Sequence, residues 1–472
     1  MDYNFYAEQY YNSNHKFVDF FQKSISLIPC NSNTSSKYDK TCGIKGITGE
    51  FFRRISSVTH KPIKDFETDA IQPTREYLSE EASMTESSIA EFLDIMRDVF
   101  YSDGSFTVIN SSFLKYVPLT ATYINKTVAN KYEDGQKKIA SYLYSMLPGG
   151  FKYDGTGDQN LFCQIIKAAL EQGDLPKSSS GEKESNYYIL PFIRDSFKED
   201  LDWLLSNHDD HVIVKYIDYL LHFYLCYAIV QVILKLGRDE IDLEKPSGLY
   251  FIMISESASS KKEAVKNGWA AYVAGKLDKL FGRMQAVDII NTILGEPVGL
   301  YPQIKEALNN IDFENEGKAI CESVLSAYQS DKRSILQERD TFDASKLPEP
   351  IDTSVSSYDV FLEKMEKLCM DLQSPEYVRL GQKVKDILKI KFLQSRRGND
   401  VLVIDEEMLI FLIAMFTHEK RTKLDDMYNK FNEHGIFFNI ESRGVIEQYL
   451  LKSNLLDRKS DSGETQYVTV IL

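Results

Sequence analysis

The side chains best suited to chemistry lie in two polar runs near the middle of the chain. His208-Asp209-Asp210-His211 sets four potential metal ligands in a row, and Asp239 to Lys245 sets four carboxylates before a lysine. A metalloprotease helix carries two histidines one turn apart with a glutamate between them, and a Mg²⁺ nuclease holds its metal with carboxylates on a sheet. Neither run has that spacing. We interpret the first as a loop whose acids cap the next helix and the second as a solvated loop.

Nucleophile and phosphate-binding motifs are missing from the sequence. There is no G-x-x-x-x-G-K-[ST] and no G-x-S-x-G, and the glycine-rich runs at 42–49 and 149–158 do not fit the order strand, G-x-G-x-x-G, helix. The six cysteines lie far apart without a C-x-x-C pair, so neither a zinc knuckle nor a disulfide framework is indicated. We expect no catalytic residue, no metal site and no cofactor.

The other histidines that attract notice have structural interpretations. His222 lies inside an apolar run and is predicted to be a hydrogen-bonded core residue. His418 and His434 flank a predicted helix, and we interpret them as residues that cap helix ends.

Apolar residues recur at helical spacing through most of the chain, which predicts a mainly α fold with minor β. β-Branched and aromatic residues favour strands at 105–110 and 249–255.

The run Tyr219 to Leu234 is uncharged, but it is shorter than the ~20 residues of a spanning helix and contains His222 and Gln231. We predict a buried core helix there and no membrane span. The first residues do not form a secretory signal, so a cytoplasmic location is expected.

With 472 residues the chain is long enough for more than one structural unit. A polar stretch with two prolines at 341–357 is the best boundary. We predict a mostly helical body over 1–340, a Pro/Ser-rich linker over 341–357, a helical connector over 358–398 and a winged-helix-like domain over 399–472.

The C-terminal residues have the element order of a winged helix. The sequence predicts a strand at 401–405, helices at 406–417 and 422–435, an extended segment at 436–438, then a third helix and a β-hairpin. In this helix-turn-helix variant the third helix can enter a major groove and the hairpin can touch the DNA backbone. Winged helices also dock proteins, so the order alone leaves both roles open.

Charge is unevenly distributed along the chain. The net charge is −15, and residues 400–472 hold thirteen acidic against eight basic residues, which disfavours duplex binding by this module. Residues 376–397, which fall largely within a helix predicted over 375–393, form a basic island of seven basic and two acidic residues. Candidate DNA contacts are the basic residues of the island and two residues of the hairpin, or wing: Arg379, Lys383, Lys385, Lys389, Lys391, Arg396, Arg397, Arg458 and Lys459.

The C-terminal sequence resembles the end of the DptG family, the G subunit of a bacterial restriction system that acts on DNA according to phosphorothioate backbone modification. The likeness lies in Gly435 to Phe438, in Asn454 to Leu456, and in Ser460 to Glu464 followed by Gln466-Tyr467-Val468. A weaker likeness runs from Leu249 to Phe281. The resemblance extends over roughly a third of the chain, and these segments are the ones that carry it.

The resemblance implies a non-catalytic subunit that works with an ATPase-like F subunit and a HerA-type ATPase/helicase H subunit. The missing nucleotide-binding motif agrees with that role. We therefore expect a scaffold or DNA-engaging subunit of an anti-phage restriction complex, with double-stranded DNA as a possible further partner. Two alternatives stay open, a stand-alone winged-helix DNA-binding regulator and a cryptic metal-dependent nuclease that uses Asp242 and Glu244.

Overall fold

The protein is mainly helical, as the apolar periodicity predicts, and its strands are short. A computed structural model describes residues 1–12, 26–29, 44–81, 84–102, 105–119, 126–155, 160–172, 175–176, 190–237, 242–257, 259, 262–277, 279–339, 344–373, 375–396, 398–458 and 466–472.

The helices in these ranges are, in chain order, α1 (Tyr3–Tyr10), α2 (Lys45–Ile55), α3 (Gln72–Glu80), α4 (Glu86–Phe100), α5 (Lys126–Ser145), α6 (Leu161–Glu171), α7 (Pro191–Asn207), α8 (Asp210–Lys235), α9 (Glu263–Lys266), α10 (Gly275–Leu277), α11 (Leu280–Leu294), α12 (Tyr301–Asn309), α13 (Lys318–Gln337), α14 (Tyr358–Asp371), α15 (Pro375–Leu388), α16 (Glu406–Thr417), α17 (Leu424–Glu433) and α18 (Ile440–Lys452). Single π-helical turns lie at Glu67–Ile71, Ala270–Ala274 and Phe313–Gly317, and 3₁₀ turns at Ser111–Tyr116 and Ala344–Lys346.

The strands are β1 (Val58–Thr59), β2 (Tyr101–Ser102), β3 (Ser105–Phe106), β4 (Leu175–Pro176), β5 (Leu249–Met253), β6 (Leu393–Arg396), β7 (Asn399–Ile404), β8 (Thr422–Lys423), β9 (Ile436–Phe438), β10 (Leu456–Arg458) and β11 (Gln466–Val468). The strand predicted at 249–255 is confirmed as β5. The one predicted at 105–110 is shorter than expected, because Asn110 instead caps a 3₁₀ turn by accepting a hydrogen bond from the Ser112 amide at 2.8 Å.

Helix α8 lies at the centre of the main hydrophobic core. It begins where the Asp209 carboxylate accepts a hydrogen bond from the Val212 amide at 3.0 Å, and every side chain from Leu220 to Lys235 is buried. Of the described helices it is the one long and apolar enough to cross a membrane, and 89% of its most apolar window is buried inside the protein. A helix that is apolar on all sides needs such surroundings, and the prediction of a buried core helix is confirmed.

A four-stranded sheet joins the body to the C-terminal module. Its order is β6-β7-β5-β9, with β5 parallel to both β7 and β9 and β6 antiparallel to β7. Strand β5 belongs to the predicted body, whereas its two neighbours lie about 150 and 185 residues further along the chain. The main core is correspondingly continuous from Tyr6 to Val470.

The stretch predicted as a linker, 341–357, packs against α13. The Ile351 amide donates to Gln329 Oε1 at 2.7 Å, and Gln329 Nε2 donates back to the Ile351 carbonyl at 3.1 Å. The Val355 amide donates to Glu322 Oε1 at 3.0 Å, and the Val355 side chain is buried. The described part of this stretch is therefore fixed to the body, and the division at 341–357 is one of chain order and not of packing.

Candidate functional site

The C-terminal module has the order of elements that the sequence predicts. Helix α16, strand β8, helices α17 and α18 and the hairpin β10–β11 follow one another, and the three strands form a sheet in the order β10-β11-β8. Local signals fix the helix ends: Asp405 and Asn439 accept hydrogen bonds from the amides of Met408 and Ser442 at 2.7 and 2.8 Å. Gly435 has a φ of +71°, which ends the segment of α17 in the left-handed region as predicted.

The first turn of α18 is held by the body. Ser442 is buried, and its hydroxyl donates a 3.0 Å hydrogen bond to Glu256 Oε2. Glu256 follows β5, is 5% exposed, and also accepts from the Met253 amide at 2.7 Å and from Lys262 at 3.0 Å. Lys262 in turn lies 3.2 Å from Glu441. The end of α18 that a DNA reader inserts into a major groove is thus a packing contact in this protein.

The electrostatics of this junction favour the ion pairs. Burial of Lys262 opposes its charge, but its hydrogen bonds to Glu256 and Glu441 outweigh burial and raise its pKa. The ammonium group therefore stays charged over the physiological range and holds the buried carboxylate of Glu256 in place.

The solvent face of α18 is poor in free positive charge. Its exposed side chains include Ile440, which is 90% exposed, together with Glu441, Gln448 and Lys452. Arg443 is half-buried because it stacks 4.6 Å from the ring centre of Tyr428 and donates to the Phe438 carbonyl at 3.2 Å. An apolar residue beside acidic and amide groups suits a protein surface better than a phosphate backbone.

The predicted basic helix is shorter than expected and its lysines are partly paired. Helix α15 ends at Leu388 instead of Leu393, because the chain continues into β6. Lys385 forms an ion pair with Asp400. Burial alone would raise the pKa of Asp400, but the hydrogen bonds from Lys385 and Ser395 lower it, so the pair is ionised.

Lys391 also contacts the protein itself. Its ammonium group lies 3.3 Å from Asp405 Oδ2 and 4.3 Å from the ring centre of Tyr219. Burial, together with the smaller effect of the charge of Lys391, lowers the pKa of the adjacent His222 to about 4, so His222 is a neutral core residue. Lys391 therefore connects the segment after α15 to α8 and to the start of α16.

Arg396 is a structural residue of the sheet edge. Its guanidinium donates to the carbonyl oxygens of Ile254 and Glu256 and, at 2.7 Å, to Gln394 Oε1. Lys383 on α15 and Lys389, which follows the helix, are half-buried. The side chains of Arg379 and Arg458 and the whole of Arg397 and Lys459 lie outside the described residues. The assignment of these nine residues to DNA contact stays a prediction.

The described residues of the two polar runs, 208–211 and 239–245, make structural contacts close to their own helices and loops. Asp209 caps α8, Asp210 accepts from the Ser111 amide at 3.0 Å, and His208 Nε2 lies 3.3 Å from Glu419. In the second run Asp242 accepts from the Glu244 amide at 2.8 Å, while Asp239 and Glu240 lie outside the described residues. No group of three His, Cys, Asp or Glu side chains in the described part of the chain could hold a metal ion.

One serine and histidine pair escaped the sequence search. Ser56 Oγ lies 2.7 Å from His60 Nε2 and donates its proton to Asp154 Oδ1 at 2.9 Å. Since the serine has only one proton, His60 Nε2 must be the donor in the first contact, and it cannot also act as a base toward Ser56. Both side chains are buried, so the trio fixes a turn after α2.

No protein-family model matches the chain, and no curated protein matches it at a significant level.

Proposed function

We propose that this protein is a non-catalytic scaffold subunit of a bacterial restriction complex that acts on DNA according to phosphorothioate modification, in the manner of the DptG family. Its partners are an ATPase-like F subunit and a HerA-type ATPase/helicase H subunit, and it works in the cytoplasm. The observation that carries the scaffold role is the anchored α18. A helix whose first turn is hydrogen-bonded to Glu256 is a rigid part of the body, and its outer face is available to a partner.

Duplex contact has a minor place in this proposal. A winged-helix reader gains affinity from Lys and Arg on its third helix and wing. On α18, Arg443 is engaged with Tyr428 and Phe438, which leaves Lys452 as the exposed basic side chain among the described residues of that helix. We expect any phosphate contact at Lys389 and at the wing residues Arg458 and Lys459.

The stand-alone regulator is the second candidate, and the winged-helix order of elements is the observation in its favour. It requires α18 to enter a groove. With Ser442 buried against Glu256, this would require the module to separate from β5, to which β7 and β9 are paired.

Co-purification of the full chain with the F and H subunits tests the proposal. A stable complex in size-exclusion chromatography with light scattering is expected. Ile440→Asp should weaken it, because Ile440 is 90% exposed on the proposed docking face, whereas Leu161→Asp, at a 68% exposed position on α6, should not. A chain that stays alone in the presence of both subunits contradicts the proposal.

A further inference from the structure

A cleft of about 390 Å³ lies where the body meets the C-terminal module. Helices α7 and α8 form one wall, the ends of α16 and α17 form the other, and residues 244–246 lie at the mouth. On α7 the lining positions 192, 196, 199 and 200 share one helical face.

A nearly buried carboxylate forms the floor of this cleft. Asp200 is 5% exposed, and its Oδ2 accepts a hydrogen bond from the Tyr224 hydroxyl. Its Oδ1 accepts no hydrogen bond from any described residue. Oδ1 is accessible from the cleft, so a donor bound there can supply the hydrogen bond that no described residue makes.

A second acceptor comes from His434, the residue that follows α17. His434 Nδ1 lies 2.8 Å from the Lys430 carbonyl, and since a carbonyl can only accept, Nδ1 carries the proton. Burial lowers the pKa of His434, so the ring is neutral and its Nε2 presents a lone pair. The ring is fixed by stacking on Phe416, with ring centres 3.8 Å apart.

The walls and rim complete a surface for positive charge. Phe192, Tyr227 and Phe416 supply aromatic rings, which attract cations through their faces. Glu199 and Glu244 are exposed at the rim. The two lysines that line the cleft have carboxylate partners, Lys430 with Glu433 at 3.0 Å and Lys245 with Asp242 at 4.0 Å.

The form of the ligand follows from the chemistry of these acceptors, since a carboxylate oxygen and a neutral imidazole nitrogen both accept hydrogen bonds. No group of three or more His, Cys, Asp or Glu side chains among the described residues could hold a metal ion, and an organic donor is the remaining type of ligand. We propose that the cleft binds an organic cation with several N–H donors, a guanidinium or primary ammonium group, which donates to Asp200 Oδ1 and His434 Nε2 and packs on the aromatic walls. The group belongs either to a free small molecule or to an arginine or lysine side chain of a partner. This proposal does not depend on the proposed function.

The direct test is calorimetric titration of the full chain with agmatine, which carries a guanidinium and an ammonium group, at pH 8, where Asp200 is ionised although burial raises its pKa to about 7. Its neutral counterpart butylurea is the control ligand, and a neutral Gly/Ser peptide with one arginine is the second probe. Binding of agmatine or of the arginine peptide, without binding of butylurea, is expected. Binding of agmatine alone identifies a free cation as the ligand, and binding of the peptide identifies a partner's side chain.

Two variants distinguish binding of the cation at Asp200 from its general attraction to the acidic rim of the cleft. Asp200→Asn keeps an acceptor for Tyr224 but removes the charge, and should weaken binding roughly ten- to a hundredfold. Glu199→Gln, at the exposed rim, cannot disturb the core and should weaken binding only severalfold. Equal binding of butylurea, unchanged binding by Asp200→Asn, or no binding of either cation at about 10 mM overturns the proposal.

Discussion

Ser442 and Glu256 lie 186 residues apart in the chain, and the Ser442 hydroxyl donates a 3.0 Å hydrogen bond to the Glu256 carboxylate. Both side chains are buried. The contact joins the first turn of α18 to the end of β5, in the same region where β5 pairs with β7 and β9. The third helix of the winged-helix-like module is therefore packed on the body, and its separation would break the buried hydrogen bond between Ser442 and Glu256.

Glu256→Ala should destabilise the protein by about 3 to 5 kcal/mol, because it leaves Lys262 and the Met253 amide without their buried acceptor. Ser442→Ala should cost only about 1 kcal/mol, since Glu256 keeps its other two donors. Urea unfolding measures both values. Gln448→Ala, on the exposed side of the same helix, is the control and should match the wild type. Equal losses for Glu256→Ala and Gln448→Ala would show that the junction does not stabilise the fold.

Gly435→Ala should be much more harmful than Gly150→Ala. Both glycines have positive φ, +71° and +84°, which costs an alanine about 1 kcal/mol. At Gly435 an added Cβ would also lie 2.7 Å from the Ser247 carbonyl, whereas at Gly150 it would meet open space. We expect losses of about 2 to 4 and about 1 kcal/mol respectively in urea unfolding. Equal losses would mean that the approach of α17 to residues 246–247 is looser than described.

Asp200→Asn should stabilise the protein increasingly as the pH rises. Burial raises the pKa of Asp200 from 3.8 to about 7, although the Tyr224 hydrogen bond opposes this. The stability that comes from the protonated carboxyl is thus fully present below pH 3.8 and is lost as the pH approaches 7. The difference between variant and wild type should grow by about 1.4 kcal/mol per pH unit in that window.

Unfolding of both proteins at pH 5, 6 and 7 provides the measurement, with the exposed Asp202→Asn on the same helix as the control. Parallel pH profiles for Asp200→Asn and the wild type would contradict a buried, protonated Asp200.

Duplex DNA should bind weakly. At physiological salt we expect a Kd above about 1 µM and no sequence preference, as for non-specific contacts. Lys389→Glu should make the slope of log K against log salt shallower by about one, and the exposed Lys137→Glu on α5 should leave it unchanged. Fluorescence anisotropy at several salt concentrations measures this. Specific binding at about 10 nM or tighter would favour the stand-alone regulator.

The elements of the C-terminal module could be predicted from the sequence because their signals are local. Asp405 and Asn439 are helix caps that bond to amides three residues on, and Gly435 alone permits the turn after α17. Burial of the helix at 219–234 could also be predicted, because a continuous apolar run needs burial on all sides.

The joining of module and body could not be predicted in this way. No turn motif in the sequence indicates that β5 pairs in parallel with β7 and β9, because the strands lie far apart in the chain. The partners of Lys385 and Lys391 could not be predicted either. These two lysines of the basic island form ion pairs with Asp400 and Asp405 of the same chain. The one local hint of the cleft was Asp200, a carboxylate between the buried Phe197 and Leu201 of α7.

Hydrogen–deuterium exchange measures directly whether α18 is a docking face for the ATPase subunits. The full chain is measured alone, with the F and H subunits, and with a duplex of matched concentration. We predict that the amides of Ile440–Lys452 exchange more slowly when the ATPase subunits are present and at an unchanged rate when the duplex is present. Protection of α18 by the duplex, with no change from the subunits, would contradict a scaffold role and would identify α18 as a DNA reader.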